Sequence, residues 1–151
     1  MAQGRAAGVN LTKMLDKVQK DLGDIQKLFL LELVEDIVIS SPVYSGAYVN
    51  GHNIEVGNKS VGGQFTGPIV TTTPSPDPAS EKTVALGKLR SQVEALPEDL
   101  GVVSINNRVP HAYKVEYGGW GSKGPYQVYS GALNRANVHL QSAINQVRGS
   151  R

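Results

Sequence analysis

The sequence predicts an α+β fold: a long N-terminal helix, a small, mostly antiparallel sheet, an insert helix and a C-terminal helix. Three observations lead there. Apolar residues recur at alternating steps of four and three at Leu11, Leu15, Val18, Leu22, Ile25 and Phe29, which makes one stripe on a helix. Short strand-prone runs at 43–57, 101–106 and 112–117 are bounded by Gly, Pro and Asn. Helical spacing returns near 78–96 and again at 131–147, so helices and strands alternate irregularly, as in an α+β layer arrangement. With 151 residues and 40% hydrophobic content, the chain suits one domain with its own core.

The elements follow in order. Residues 1–10 read as a flexible arm, 11–148 as a single domain with a loop–helix insert at about 57–97, and 149–151 as a tail. The first helix is expected over 11–39, with Asn10 as its N-cap. Gly23 is a weak point within it, costing about 1 kcal/mol relative to Ala. Pro42 stops the helix, because the residue before a proline disfavours helical geometry. Turn and strand follow, with Tyr48, Ile54 and Val56 as apolar positions. Residues 57–78 are rich in Gly, Thr, Ser and Pro and read as a loop with an extended piece around 65–73. Asp77 and Pro78 suit the start of a helix whose apolar face is Val84, Leu89, Val93 and Leu96. Residues 101–106 have strand propensity, and Asn106–Asn107 reads as a turn. A strand at 112–117 would place Tyr113, Val115 and Tyr117 on one side and Ala112, Lys114 and Glu116 on the other, ending at Gly118. A Gly-rich loop holding Trp120 leads to the last helix, whose expected buried face is Leu133, Ala136, Leu140, Ala143, Ile144 and Val147.

The chemistry-bearing residues are sparse. There is no cysteine, which excludes disulfides, thiolate metal sites and a thiol nucleophile. The formal charge is +2, from 15 basic and 13 acidic residues, too even to be a nucleic-acid footprint. Charges interrupt every apolar run, so no membrane span is expected; the first ten residues carry Arg5 and no apolar run, so no signal peptide is expected either. His52, His111 and His139 lack ligand spacing and read as surface or packing residues. Glu35 and Asp36 are adjacent and point to different helix faces, which suits solvated or contact-forming charges better than an acid/base pair. The glycines of 57–67 lack a following Walker-type lysine. Ser41 and Ser45 have no evident base partner. Trp120 and Lys123 could stack on nucleic-acid bases, but a Trp-bearing contact loop between proteins is the favoured reading. No catalytic residue, metal or cofactor is expected.

Two stretches carry a family resemblance. Ser41-Pro42-Val43-Tyr44-Ser45-Gly46-Ala47 resembles the T/S-P-V-D-T-G signature that ends the first helix of phage neck and tail-completion proteins. Residues 105–118, Ile-Asn-Asn-Arg-Val-Pro-His-Ala-Tyr-Lys-Val-Glu-Tyr-Gly, look like that family's I-x-N-x-x-P-Y-A-x-x-x-E-x-G segment. With Gly124-Pro125 and the last helix, the likeness covers nearly the whole chain. Tyr44 stands where the family usually has Asp, Ser45 for Thr, Ala47 for a common Arg, and His111 for Tyr.

The resemblance implies a structural virion protein at the head–tail junction, made in the host cytoplasm. It would assemble as a homo-oligomeric ring, with six copies as the number matching a tail tube. Its partners would be other copies of itself, portal, connector or head-closure proteins, and tail-tube or terminator proteins. DNA would pass its lumen without sequence-specific binding. The alternatives are a tail terminator or head-closure subunit and, from another class, a nucleic-acid-binding module using Lys82, Lys88, Arg90 and Lys123. Pro42, Gly46, Asn106, Ala112, Glu116 and Gly118 are the motif residues. Glu116 is expected to hold a turn or a subunit contact. Leu15, Val18, Leu22, Phe65, Trp120 and Lys123 are the candidate contact residues.

Overall fold

A computed structural model describes residues 2–57, 59–62, 73–97, 101–120 and 122–150. Phe65, and with it the extended piece expected at 65–73 up to residue 72, lies outside the described residues. The fold is α+β. In order, the elements are α1 (Ala2–Ser40), α2 (Ala47–Asn50), β1 (His52–Val56), β2 (Lys59–Ser60), α3 (Pro78–Glu94), β3 (Val103–Asn107), a wide helical turn (Lys114–Gly118), α4 (Val128–Asn134) and α5 (Ala136–Gly149). The three strands form an antiparallel sheet in the order β2-β1-β3, with His52 opposite Asn107 and Val56 opposite Val103.

Helix α1 begins at Ala2 and continues unbroken past Gly23. The segment expected as an arm is therefore helical, and Asn10 lies inside the helix instead of capping it. Thirty-nine residues span about 58 Å, roughly twice the diameter of a small domain, so the helix outruns the body it packs on. Its second half supplies both cores. Leu30, Val34 and Val38 join Val49, Ile54, Ala85, Leu89, Val93 and Leu96 on the side of α3 and the sheet. Ile37 joins Ala47, Tyr48, Val109, Val115, Val128 and Ala132 on the other side. At its C-terminus the otherwise orphaned carbonyls are met by the Ser41 hydroxyl on Ile37 O (2.6 Å) and Lys82 Nζ on Ile39 O (2.6 Å).

Helix α3 starts as its sequence suggests, with Asp77 accepting from Ser80 N–H at 3.1 Å and Pro78 in the first turn. It buries Leu89 and Val93, but Val84 faces solvent and Ala85 takes its place.

Three further expectations are overturned. Asn106 and Asn107 lie in β3 and pair with Asn53 and His52; neither adopts a left-handed turn conformation. Residues 112–118 are helical, closed by Gly119 N–H on Lys114 O at 2.7 Å. A strand would put neighbours Val115 and Glu116 on opposite faces, whereas both are buried here. The alternation of apolar residues misled because Tyr113 and Tyr117, four apart, stack on the exposed side with ring centroids 4.7 Å apart. The last helix is two helices, broken at Arg135. Leu133 and Leu140, expected on the buried face, are exposed, while Ala132, Ala143 and Val147 are buried.

Arg135 anchors that break to α1. Its Nε and Nη2 donate to the two oxygens of Asp36, at 2.8 and 2.6 Å, and His139 Nε2 lies 2.7 Å from the same carboxylate. The Arg135 hydrogen bonds, against the opposing effect of burial and with help from His139 and Ser40, hold the Asp36 carboxyl at about 2. One turn earlier, Glu32 Oε1 accepts from Ser142 and Gln146. Glu35 points elsewhere, to the exposed Arg90.

The core and the projecting half of α1 differ sharply in what they contribute to the stability of the chain. Leu89→Ala should cost about 2–5 kcal/mol in urea unfolding. Leu15→Ala, at a site 61% exposed, should stay within about 0.5 kcal/mol.

Candidate functional site

The segment after α1 reverses direction through Pro42 and Gly46. Gly46 has φ +90°, a conformation that favours glycine, and a Cβ there would sit 2.7 Å from the Glu81 carboxyl and push that side chain aside. Glu81 holds the reversal from α3: Asn50 Nδ2 donates to it at 2.7 Å and the Ser75 hydroxyl at 3.1 Å.

The reversal and β3 are tied directly. Asn107 Nδ2 donates to Tyr48 O at 2.8 Å, Arg108 N–H to Gly51 O at 2.9 Å, and Val109 N–H to Asn107 Oδ1 at 3.0 Å. A Cβ on Gly51 would meet Asn107 Oδ1 at 2.6 Å and Val109 at 2.8 Å, so the two segments touch through a position with no side chain. Asn107, and not the singled-out Asn106, makes this junction; the Asn106 side-chain oxygen is buried without a partner.

Behind the reversal lies a buried polar cluster. His52 is wholly buried. The Ser41 hydroxyl has one proton and gives it to Ile37 O, so the 2.8 Å contact between Ser41 Oγ and His52 Nε2 has the imidazole N–H as donor. His52 Nδ1 is then the acceptor, from the Tyr129 hydroxyl at 2.6 Å and from Asn107 Nδ2 at 3.2 Å. Lys88 Nζ donates to His52 O at 2.8 Å and Asn50 O at 3.2 Å. Burial, reinforced by the Lys88 charge, pushes the His52 imidazole down to about 3, and burial lowers the Lys88 ammonium as well. Ser41 thus does have an imidazole partner, contrary to the sequence reading. The bond runs the wrong way for a nucleophile, since the base donates to the hydroxyl, and both groups are sealed from solvent.

Glu116 caps α4. Its carboxylate accepts from Tyr129 N–H at 3.0 Å and from Ser130 N–H at 2.8 Å, and also from the Ser130 hydroxyl. Burial alone would raise its carboxyl; hydrogen bonds from Ser130, Tyr129 and Val128 outweigh that and lower it. A carboxylate at a helix N-terminus also complements the helix dipole. Ala112 packs half-buried against the second core. Gly118 lies within the helical turn, and the left-handed position falls to Gly119, φ +69°. A Cβ on Gly119 would lie 2.8 Å from the Gly124 Cα. The approach lets Trp120 and Lys123 exchange backbone hydrogen bonds of 2.7 and 2.9 Å, which pinch the Trp loop shut at its base.

These pieces enclose a groove of about 850 Å³. One wall is Pro42, Val43, Tyr44, Ser45 and Tyr48; the other is Pro110, His111, Lys114 and Val115; Trp120, Lys123 and Tyr126 close the end. Lys114 Nζ sits 4.7 Å from the Trp120 ring centroid, a cation–π distance, and His111 meets the same ring edge-on at 6.5 Å. Of its aromatic lining residues, Tyr44 and Trp120 are exposed. The ionisable lining residues, His111, Lys114 and Lys123, are all basic or neutral.

Trp120 and Lys123 therefore belong to the groove, with Pro42 in its wall. Leu15, Val18 and Leu22 are far from it, on the projecting half of α1, where with Leu11 and Met14 they are 46–64% exposed. Tyr126 was not weighed beforehand, and Tyr48 and His111 were read only as an apolar strand position and a surface or packing histidine; only the repeated aromatic residues near Pro42 and Pro110 could have signalled their shared groove. Of the cations weighed for nucleic acid, Lys88 and Lys82 are bound to backbone carbonyls and Arg90 to Glu35. Among the described residues, no group of three or more His, Asp or Glu could hold a metal, and no helix is long and apolar enough to cross a membrane. No family model, curated protein or solved structure matches the chain.

Two outcomes follow for stability. His52 is lowered in the folded state, so unfolding takes up a proton below its ordinary value of 6.5. Stability should fall as pH drops from about 6.5 toward 3, by at most about 1.4 kcal/mol per pH unit from this group. Urea titrations across pH 4.5–6.5 should show a shallower slope in His52→Gln. Glu116→Ala should cost about 1–3 kcal/mol, and Glu116→Gln less, because an amide oxygen still accepts; thermal unfolding of both variants measures the difference.

Proposed function

We propose that the chain is a structural virion protein of a tailed bacteriophage, a neck or tail-completion subunit that assembles into a ring joining the capsid connector to the tail. One observation carries the reading: the two stretches that bear the resemblance, 41–47 and 105–118, share a core cluster through Ala47, Val109 and Val115 and together line a single groove.

The groove also suits an assembly role physically. Exposed Trp and Tyr around an apolar cleft are the composition of a protein contact. A second unpartnered apolar surface, the stripe of α1, lies apart from it. Cyclic assemblies need two such different surfaces, because each copy meets the next head to tail. In this reading no turnover occurs, and the work is done by burial and shape. DNA would pass through the lumen without being read. Other occupants of the junction, a tail terminator or a head-closure subunit, would share these features and differ only in position.

Antibody labelling of virions in electron micrographs should place the chain at the head–tail junction. Lysates from phage lacking it should contain filled heads beside unattached tails. Label along the tail or at its tip, or fully joined particles in its absence, would overturn the reading.

A further inference from the structure

We infer that the groove between Pro42 and Trp120 receives the exposed stripe of α1 from a neighbouring copy of this chain. The inference rests on the self-association proposed above, and not on where in the particle the ring sits.

Three features of the molecule point to a second copy as the occupant. The first is distance. From Leu15 to Pro42 the chain rises along α1 by roughly 40 Å, so a subunit's own stripe cannot enter its own groove. The two surfaces can be covered by one another only between copies. The second is form. Leu11, Leu15, Val18 and Leu22 follow one helix face at steps of four and three, and a helix laid in an apolar cleft anchors through such a row. The groove, at about 850 Å³, has room for several such side chains, and Trp120 at its end is 45% exposed.

The third feature is charge. At 100° per residue, Lys13, Lys17, Lys20 and Lys27 all fall on the side of α1 opposite the stripe, while Met14 and Asp21 flank it. The groove offers Lys114 and Lys123 and no acid among its described lining residues. A cation-free helix face thus meets an apolar cleft whose charged lining residues are two lysines, and no like charges are forced together. A surface on one element meeting a different surface on the next copy does not close after two subunits; it propagates or forms a ring.

Absence of cysteine makes the test direct. Val18→Cys and Lys123→Cys are introduced into the full chain, singly and together, and treated with a short bis-maleimide. The double variant should give a covalent ladder of dimers, trimers and larger species under denaturing electrophoresis. The two single variants mixed should give dimers and nothing larger. Adding Trp120→Ala to the double variant should deplete the ladder while circular dichroism stays unchanged. Val18→Cys alone yielding as much dimer as the mixture would mean that stripe pairs with stripe, and the inference fails. A double variant that stays monomeric overturns it as well. If the ladder fails in a protein that still localises to the junction, only this contact is wrong; if the ladder forms but the label lies elsewhere, only the placement is.

Discussion

A neutral imidazole with no access to water holds the centre of this fold together. His52 belongs to β1, but its ring atoms are spoken for by Ser41 at the end of α1, Tyr129 of α4 and Asn107 of β3, and its carbonyl by Lys88 of α3. Five segments distant in sequence therefore share one small hydrogen-bonding group. Each partner fits only if the ring carries a single proton, on Nε2. A buried polar network of this kind stabilises when every member is satisfied and is costly when one is not, so the cluster fixes the relative placement of the helices and the sheet more tightly than apolar packing alone would.

The groove depends on that placement. Its first wall follows directly from Ser41, and its second leaves the sheet directly after Asn107. Both walls thus start from residues within the His52 cluster. Gly51 lets them approach, and Glu116 adds the far support by capping α4 from beneath the second wall. The exposed aromatic residues sit on a scaffold whose rigid parts are polar and internal. The same short segments thus supply both the resemblance and the groove lining.

Much of the framework was legible from the sequence. Stripe spacing placed α1, and Asp77 with Pro78 placed the start of α3; Pro42 and Gly46 marked the reversal. Failures arose where a residue's role lies in a contact distant in sequence. Nothing local distinguishes Asn107, which joins two segments, from its neighbour Asn106. Nothing in the alternation at 112–117 reveals that Glu116 is wanted under a helix that starts a dozen residues later, which forces Val115 and Glu116 to the same side. The break at Arg135 depends on Asp36, ninety-nine residues earlier. The His52 cluster was invisible for the same reason: its members are polar residues that look like surface until the partners are known. The stripe at 11–22, marked as candidate contact residues, is exposed in the folded chain, since periodicity shows which side is apolar and not what covers it.

Helix α1 has a geometric consequence of its own. Its root is clamped between two cores, so the compass bearing of its outer half is fixed by how many residues lie between. One inserted residue would swing the stripe by about 100° and advance it 1.5 Å, facing it away from whatever it meets. Seven would return it to within about 20° of the original heading, displaced outward by about two turns. A change of length in whole heptads would therefore keep the stripe's heading, whereas a single-residue indel would redirect it while leaving both cores as they are.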